Sequence, residues 1–325
     1  MPKNPPPVIL FLDAATVDLG DLDLKRLRKQ GKYSALSLET GEPLPAAAAE
    51  AEVLISNKYP LLRAQLGRLP KLRLICVAAT GANNVDLQAA RERDVAVCNV
   101  AGYSTPTVVE HAILFLLALG HRLREHDEAV KSGAWSRSPH FALLDFPFRD
   151  LAGKRLGILG FGNIGRRVAR VARALGMEVA VGKIPGGKYP ALQRRLELRR
   201  LLQTSDFVSL HCPLSPRTQG LIDARALAWM KPGAYLLNLA RGPIVDETAV
   251  AGALARGRLA GYASDVLCQE PPPEGHPLLD PKLRDKVLLS PHIAWASRES
   301  RQRLVDEIAE NIWSFRSGRR RNRLV

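Results

Sequence analysis

Along this chain, short continuous apolar runs alternate with longer segments whose apolar residues recur at helical spacing. The runs at 8–13, 35–38, 52–56, 72–78 and 95–97 are strand-like, and the segments 19–30 and 85–93 have helical spacing. Strands that alternate with helices predict a parallel α/β unit, because parallel strands need a crossover long enough to hold a helix. A long apolar-periodic segment follows at 107–126, with Glu110 in its first turn and basic residues near its end. It is too apolar for a free surface helix, so it should pack between domains or against a second subunit.

A second series begins near residue 156. Strands are expected at 156–159, 178–181, 207–211, 234–239, 260–266 and 287–290. A helix at 164–175 is stopped by Gly176, and Asp246 is placed to cap a helix running to Arg256. The pattern predicts a doubly wound sheet with a glycine-rich turn after its first strand. The last helix, 297–317, carries a stripe of Leu304, Ile308, Ile312 and Phe315. Following the last strand of the second sheet, it can return to the first unit and make that unit discontinuous.

Composition narrows the class. At 325 residues, with 46% hydrophobic and 24% charged positions, the chain suits two globular domains. Its longest apolar run, 112–119, is far short of the ~20 residues of a membrane span. The run at 8–12 is too short for a secretory leader, so a cytoplasmic protein is expected. Cys76, Cys98, Cys212 and Cys268 show no metal-ligand spacing, and reduced, mostly buried thiols with no metal site are the expectation. The net charge of +15 concentrates at 194–200 and 316–323 without interleaved aromatics, which reads as a solvated surface; no nucleic-acid partner and no membrane are expected.

In Gly160-x-Gly162-x-x-Gly165 the first glycine permits a tight turn, the second lets backbone approach a pyrophosphate, and the third allows close packing of helix on strand. The unpaired N–H groups of the following helix face the phosphates. The acidic residue that usually follows about 20 positions on, accepting from the ribose hydroxyls, is missing: the strand ends at Gly182-Lys183, with Lys188, Arg194 and Arg195 nearby. Such an end favours a 2′-phosphate, so the cofactor is NAD or NADP, with NADP at least tolerated.

Hydride delivery to a ketone leaves negative charge on oxygen and calls for a proton donor that titrates near neutrality. Of the 7 histidines, His292 is the best placed, after a strand and a proline; His111 should be packed in its helix and His211 is structural or adenine-side. Glu270, in a proline-rich loop, is the candidate to fix the ring tautomer of His292. Arg241 follows a buried strand, so its guanidinium should emerge at the carboxyl edge and grip a substrate carboxylate.

These residues are similar to those of the D-isomer-specific 2-hydroxyacid dehydrogenases, over nearly the whole chain. The motifs are residues 160–165, His211-Cys212-Pro213-Leu214 with Thr218, residues 238–246, 265–271, and Pro291-His292. The resemblance implies Arg241 as clamp, His292 as acid/base and Glu270 as its partner. It implies Asn163 and Ile164 at the pyrophosphate, His211, Cys212, Pro213 and Thr218 on the adenosine side, Asp265 near the nicotinamide carboxamide, and the Ala240 carbonyl at the nicotinamide. Asn57 and the loop Thr80-Gly81-Ala82 would bind substrate, the loop through backbone N–H groups. Within the family, residues 56–58 and 80–86 are most similar to the glycerate dehydrogenase or hydroxypyruvate and glyoxylate reductase branch. The formate dehydrogenase branch carries glutamine where Glu270 stands. No regulatory domain is read after residue 325, so an allosteric phosphoglycerate dehydrogenase is less expected.

The fold class expected is thus two doubly wound parallel-sheet α/β domains with a cleft between them. A Rossmann cofactor domain spans 103–295, including an interdomain helix and dimerisation arm at about 106–148. A discontinuous flavodoxin-like substrate domain spans 1–102 and 296–325. A homodimer acting on a small 2-oxo or 2-hydroxy acid is implied, with Trp135 in the arm that reaches the partner's site in some members. The alternatives are a nucleotide-sensing, corepressor-like interaction protein on the same scaffold, or a dehydrogenase for D-lactate or 3-phosphoglycerate.

Overall fold

A computed structural model describes residues 5–187, 189 and 194–325; Lys188, placed above at the basic strand end, lies outside the described residues. Contacts divide the chain into two units, residues 1–104 with 295–325, and residues 105–294. Each is built on a parallel sheet, so the expected α/β class with two parallel-sheet units is what the chain adopts.

In the first unit the strands β1 (Val8–Phe11), β2 (Lys32–Ala35), β3 (Val53–Ser56), β4 (Leu74–Val77) and β5 (Ala96–Cys98) stand in the order β2-β1-β3-β4-β5. Side chains alternate across each strand, and in β1, β3, β4 and β5 both faces are covered, which is why these four read as continuous apolar runs. Ile9, Phe11, Val53, Ile55, Leu74 and Cys76 pack with Leu304, Val305, Ile308 and Ile312 of the helix Arg298–Arg316. Leu10, Leu54, Ile75 and Val77 face the other side, against Leu61, Leu66, Ala89 and Ala90. Ser297 caps the final helix by accepting from the Ser300 N–H, and the buried Arg301 forks onto both oxygens of Asp21 at 2.7 Å.

Two expectations for this unit need correction. The strand expected at 35–38 lies at Lys32–Ala35 instead; β2 is an edge strand, mostly exposed and paired only with β1, so it has no apolar run to announce it. The segment 19–30 supplies only the one-turn helix Lys25–Arg28. The basic tail is ordered against the opposite edge: Leu324 N–H donates to the Val97 carbonyl at 2.8 Å, and Cys98 bridges to Arg323. The free side of β5 is thereby covered.

The second unit contains β6 (Arg155–Leu159), β7 (Glu178–Val181), β8 (Phe207–Leu210), β9 (Ala234–Asn238), β10 (Leu259–Ser264) and β11 (Val287–Leu289), in the order β11-β10-β9-β8-β6-β7. The long segment expected as one helix at 107–126 is two, Thr105–Gly120 and Leu123–Lys131. The chain breaks because Gly120 packs so tightly that a Cβ would lie 3.0 Å from Leu151, and because Arg122 takes a left-handed φ of 51°. The first of the two helices buries Val108, Val109, Ala112, Phe115, Leu116 and Leu119 against β6 and the helix Asn163–Ala174. Among the described residues, no helix is long and apolar enough to cross a membrane.

If the final helix is integral to the first unit, emptying its core-facing stripe must cost stability. Ile308, fully buried, truncated to alanine is expected to lower the unfolding free energy by about 2–5 kcal/mol. Urea denaturation measures it; a change below about 0.5 kcal/mol would place the helix outside the core.

Candidate active site

Parallel pairing brings three strand ends to one edge. Ser264 lies opposite Asn238 on one side and Leu289 on the other, so β9, β10 and β11 end abreast. Adjacent strands are roughly 4.8 Å apart. Arg241, Asp265 and His292 each follow within three residues of those ends.

His292 and Glu270 are brought into direct contact, with His292 Nδ1 2.7 Å from Glu270 Oε2. The other carboxylate oxygen, Oε1, accepts the Leu267 N–H at 2.9 Å, which fixes the glutamate against its own loop. With Nδ1–H donating to the carboxylate, Nε2 is the ring nitrogen suited to exchange a proton with a ligand. Both side chains are partly exposed, at 25% and 36%. His292 sits at φ +56°, a left-handed conformation that costs a non-glycine residue about 1–2 kcal/mol. Asp265 opposes that cost: its carboxylate, buried, accepts from the backbone N–H groups of Ile293 at 2.8 Å and Ala294 at 2.9 Å.

Arg241 extends from the turn after β9, half-buried. The Asn238 side chain shapes that turn by accepting from the Ala240 N–H at 3.1 Å and donating to the Arg241 carbonyl at 3.0 Å. One guanidinium nitrogen donates to the Ala240 carbonyl at 2.7 Å, leaving the rest of the planar fork for an anion.

In the glycine turn, packing requires a glycine at positions 160 and 165. Gly160 has φ +102°, and a Cβ there would come within 2.3 Å of the His211 backbone. At Gly165 a Cβ would lie 2.0 Å from the Gly160 carbonyl oxygen, so helix and turn could not close. Around Gly162 nothing lies within 4 Å, and the helix it opens, which begins at Asn163 and Ile164, carries no side-chain cap. An open backbone face at an uncapped helix N-terminus fits a bound pyrophosphate.

In the 211–218 loop, which the family resemblance assigns to adenosine, Thr218 is buried and its hydroxyl donates to the Pro213 carbonyl at 2.8 Å, so it shapes the loop from within. His211 is bonded to the Ser209 hydroxyl at 2.9 Å, and burial pushes its ring down to about 4. Burial pushes the Cys212 thiol up to about 11, so it remains a thiol. The end of β7, which the local sequence shows without a carboxylate, receives one from further on: Lys183 Nζ meets Glu197 at 2.5 Å. Arg195 stacks over the Tyr189 ring at 4.1 Å and lies 5.8 Å from that of Phe161.

In the first unit, Asn57 and the loop 80–82 follow β3 and β4, which end side by side with Ser56 opposite Val77. The buried Asp13 carboxylate accepts from the N–H groups of Asn57, Lys58 and Tyr59 at 2.9, 2.6 and 2.9 Å. The Thr80 hydroxyl donates to the Val100 carbonyl at 3.0 Å, and Asn84 bridges to Ser56 and Tyr59 at 3.1 Å. Gly81 and Ala82 are half-exposed between these ties.

Residues 113–294 match the family model described as "D-isomer specific 2-hydroxyacid dehydrogenase, NAD binding domain". The chain belongs to this family. It is an NAD-dependent oxidoreductase acting on 2-hydroxy acids and their oxo forms. The dehydrogenase is 37% identical over 95% of its length to hydroxypyruvate reductase of Blautia hydrogenotrophica, covering 97% of that protein. It is 36% identical over 97% of its length to glycerate dehydrogenase of Methylorubrum extorquens, covering 98% of it. Among solved structures it superposes on the TT0316 protein of Thermus thermophilus with a TM-score of 0.84, at 34% identity, covering 98% of this chain and 100% of the other. A D-lactate dehydrogenase of Aquifex aeolicus, solved with NAD and lactic acid, matches at 27% identity with a TM-score of 0.81, over 95% and 96% of the two chains. None of these relatives supports the corepressor-like alternative.

Sequence reasoning missed several carboxylates and hydroxyls that hold the dehydrogenase's loops. Glu247, buried, accepts the Cys268 N–H at 2.8 Å and meets His276 Nε2 at 3.0 Å, pinning both limbs of the Glu270 loop. Ser290 Oγ lies 2.5 Å from Asp265 Oδ1 and 2.8 Å from His111 Nε2. The one local signal was their polarity among apolar neighbours.

The buried His211 makes folding pH-dependent. Its ring is neutral when folded, at about 4, and titrates at 6.5 when unfolded. Between those values the unfolded chain binds the extra proton, so this stability is complete above pH 6.5 and is lost as pH falls toward 4. Urea melts between pH 7 and 4 should lose on the order of 1–3 kcal/mol through this group. The slope should flatten in His211→Asn, and an unchanged slope would refute the assignment.

Proposed function

We propose that the enzyme reduces hydroxypyruvate or glyoxylate, giving D-glycerate or glycolate, with NADH or NADPH as reductant. The observation that carries this reading is the 2.7 Å His292–Glu270 pair at a strand end beside those that lead to Arg241 and Asp265. The bound reduced nicotinamide supplies the hydride that forms the new C–H bond. Arg241 grips the substrate carboxylate through two parallel N–H bonds and draws charge toward the neighbouring carbonyl. His292 Nε2 gives its proton to the carbonyl oxygen as that oxygen becomes an alkoxide, and Glu270 balances the imidazolium charge before transfer. Oxidation of the hydroxy acid runs the same residues backward, with His292 as base. Asn57, Thr80, Gly81 and Ala82 keep the substrate-binding role of the family resemblance, and their short side chains suit a small hydroxylated acid.

Gly160, Gly162, Asn163, Ile164 and Gly165 would hold the pyrophosphate, with His211, Cys212, Pro213 and Thr218 framing the adenosine. The Ala240 carbonyl and Asp265 would meet the carboxamide. Of the four acceptor positions of the Asp265 carboxylate, three are taken by Ser290, Ile293 and Ala294, which leaves one for a carboxamide N–H. Acceptance of NADPH rests on Lys183, Arg194 and Arg195. The Lys183–Glu197 pair is exposed, so its net stabilisation is small and a phosphate can displace the glutamate.

We also propose a homodimer joined through the arm within 106–148. Phe141 is 95% exposed and Leu144 82%, and Leu123, Val130, Trp135 and Phe148 are exposed as well. An apolar surface of this kind is ordinarily covered by a partner, here a second copy.

Two experiments test these readings. Absorbance assays with NADH and NADPH against hydroxypyruvate, glyoxylate, pyruvate and phosphohydroxypyruvate should show kcat/KM at least about tenfold higher for the first two, with the two cofactors within about tenfold of each other. In His292→Ala, kcat should fall by about 10²–10⁴ while NADH binding persists. A preference for pyruvate overturns the substrate, a thousandfold NADH preference overturns NADPH acceptance, and wild-type turnover in the variant overturns the mechanism. Light scattering should give twice the 35.6 kDa chain mass, falling toward the monomer in Phe141→Asp/Leu144→Asp; a monomeric wild type would remove the dimer.

A further inference from the structure

Behind the imidazole, three polar side chains stand in series within the second unit. His111, on the helix Thr105–Gly120, places Nε2 2.8 Å from Ser290 Oγ, and Ser290 Oγ lies 2.5 Å from Asp265 Oδ1. A serine hydroxyl has one proton to give. The carboxylate offers no donor, so that proton goes to Asp265, and the hydroxyl must accept from His111. The ring is therefore in its Nε2–H tautomer, with a single direction of donation: His111 to Ser290 to Asp265.

The far end of the series is the backbone beside His292. Asp265 Oδ1 takes the Ile293 N–H as well as the serine, and Oδ2 takes the Ala294 N–H. Those amides follow a residue held at φ +56°, which relaxes unless the surroundings over-determine it. A carboxylate turns freely about its last torsion unless its oxygens are held in place. Ser290 adds its hydroxyl to that hold, on the same oxygen, Oδ1, that accepts the Ile293 N–H. His111 is fixed in turn by its edge-on contact with Phe115, ring centroids 4.6 Å apart and one helical turn along. Burial lowers the pKa of its ring from the ordinary histidine value, against a smaller opposing pull from Asp265, and so favours the neutral form.

We infer that His111 and Ser290 are positioning residues for His292: acting in series through Asp265, they set the backbone that aims the imidazole at the substrate carbonyl. The inference rests on reading His292 as the acid/base. It assigns no proton transfer to His111, whose polar contact is with Ser290. A misplacement of the acid of about 1 Å can cost on the order of 100-fold in rate, so the effect should fall on kcat.

The test is a double-mutant cycle on the full-length enzyme with steady-state kinetics and NADH binding by fluorescence, with His292→Ala run alongside. Ser290→Ala should lower kcat by roughly 10- to 100-fold, with KM for the oxo acid and the dissociation constant of NADH changed less than about threefold. Ser290→Thr, which keeps the hydroxyl, should recover most of the rate. His111→Leu should lower kcat by about fivefold in the wild-type background and have no further effect in Ser290→Ala, because a link in series has nothing left to act on. His111→Gln, which keeps a donor, should fall less than His111→Leu. Multiplicative losses in the double variant would overturn the series. Wild-type kcat in Ser290→Ala, or a loss of NADH affinity matching the loss of kcat, would overturn the positioning role. If His292→Ala itself turns over normally, it is the acid/base reading that fails.

Discussion

Parallel pairing sends every strand's carboxyl end to a common edge, and in the second sheet the pairing also brings Asn238, Ser264 and Leu289 there abreast. The site depends on this constraint. Strands in register can place an arginine, an aspartate and a histidine from positions 241, 265 and 292 along one line, each rooted in buried backbone. A slip of one residue in β10 would turn Asp265 to the other face of the sheet and leave the amides after His292 without an acceptor.

Carboxylates do most of the work of converting this edge into a site. Asp13, Glu247 and Asp265 are buried, and each gives at least one oxygen to a backbone N–H of a loop that follows a strand. A buried carboxylate is tolerated when donors surround it, and here the donors are loop amides that would otherwise lack partners. The loops can then be irregular, as ligand-binding loops must be, without being loose. Glu270 differs: it keeps one oxygen for its own loop and turns the other to His292, at the boundary with solvent.

Much of this was legible in the sequence, and the exceptions share a cause. Continuous apolar runs announced the inner strands because both of their faces are covered, whereas β2, exposed and paired on one side, left no such trace. The glycine spacing at 160–165 carried its meaning locally, since Gly160 and Gly165 answer to backbone one strand or a few residues away. Glu270 and His292 were singled out by the chemistry a hydride acceptor needs and by their places in a proline-rich loop and after a strand, and then by motif resemblance; no pattern links residues 22 apart. The partnerships of Asp13 with Asn57, Lys183 with Glu197, and His111 with Ser290 span 44, 14 and 179 positions. One chain read alone has no signal for them. Lys183 shows the consequence: a strand end that looks purely basic receives a carboxylate once the chain folds. Likewise the break at Gly120 is decided by Leu151, 31 positions away along the chain.

The central claim is that His292, oriented by Glu270, presents Nε2 to the carbonyl oxygen of a 2-oxo acid whose carboxylate is gripped by Arg241. A crystal structure with NADH and the unreactive analogue oxamate tests it most directly. Nε2 should lie about 3 Å from the amide carbonyl oxygen of the analogue, with the guanidinium bidentate on its carboxylate and Nδ1 still on Glu270. Oxamate bound with its carbonyl beyond hydrogen-bond reach of His292, or held by a cation other than Arg241, would contradict the account.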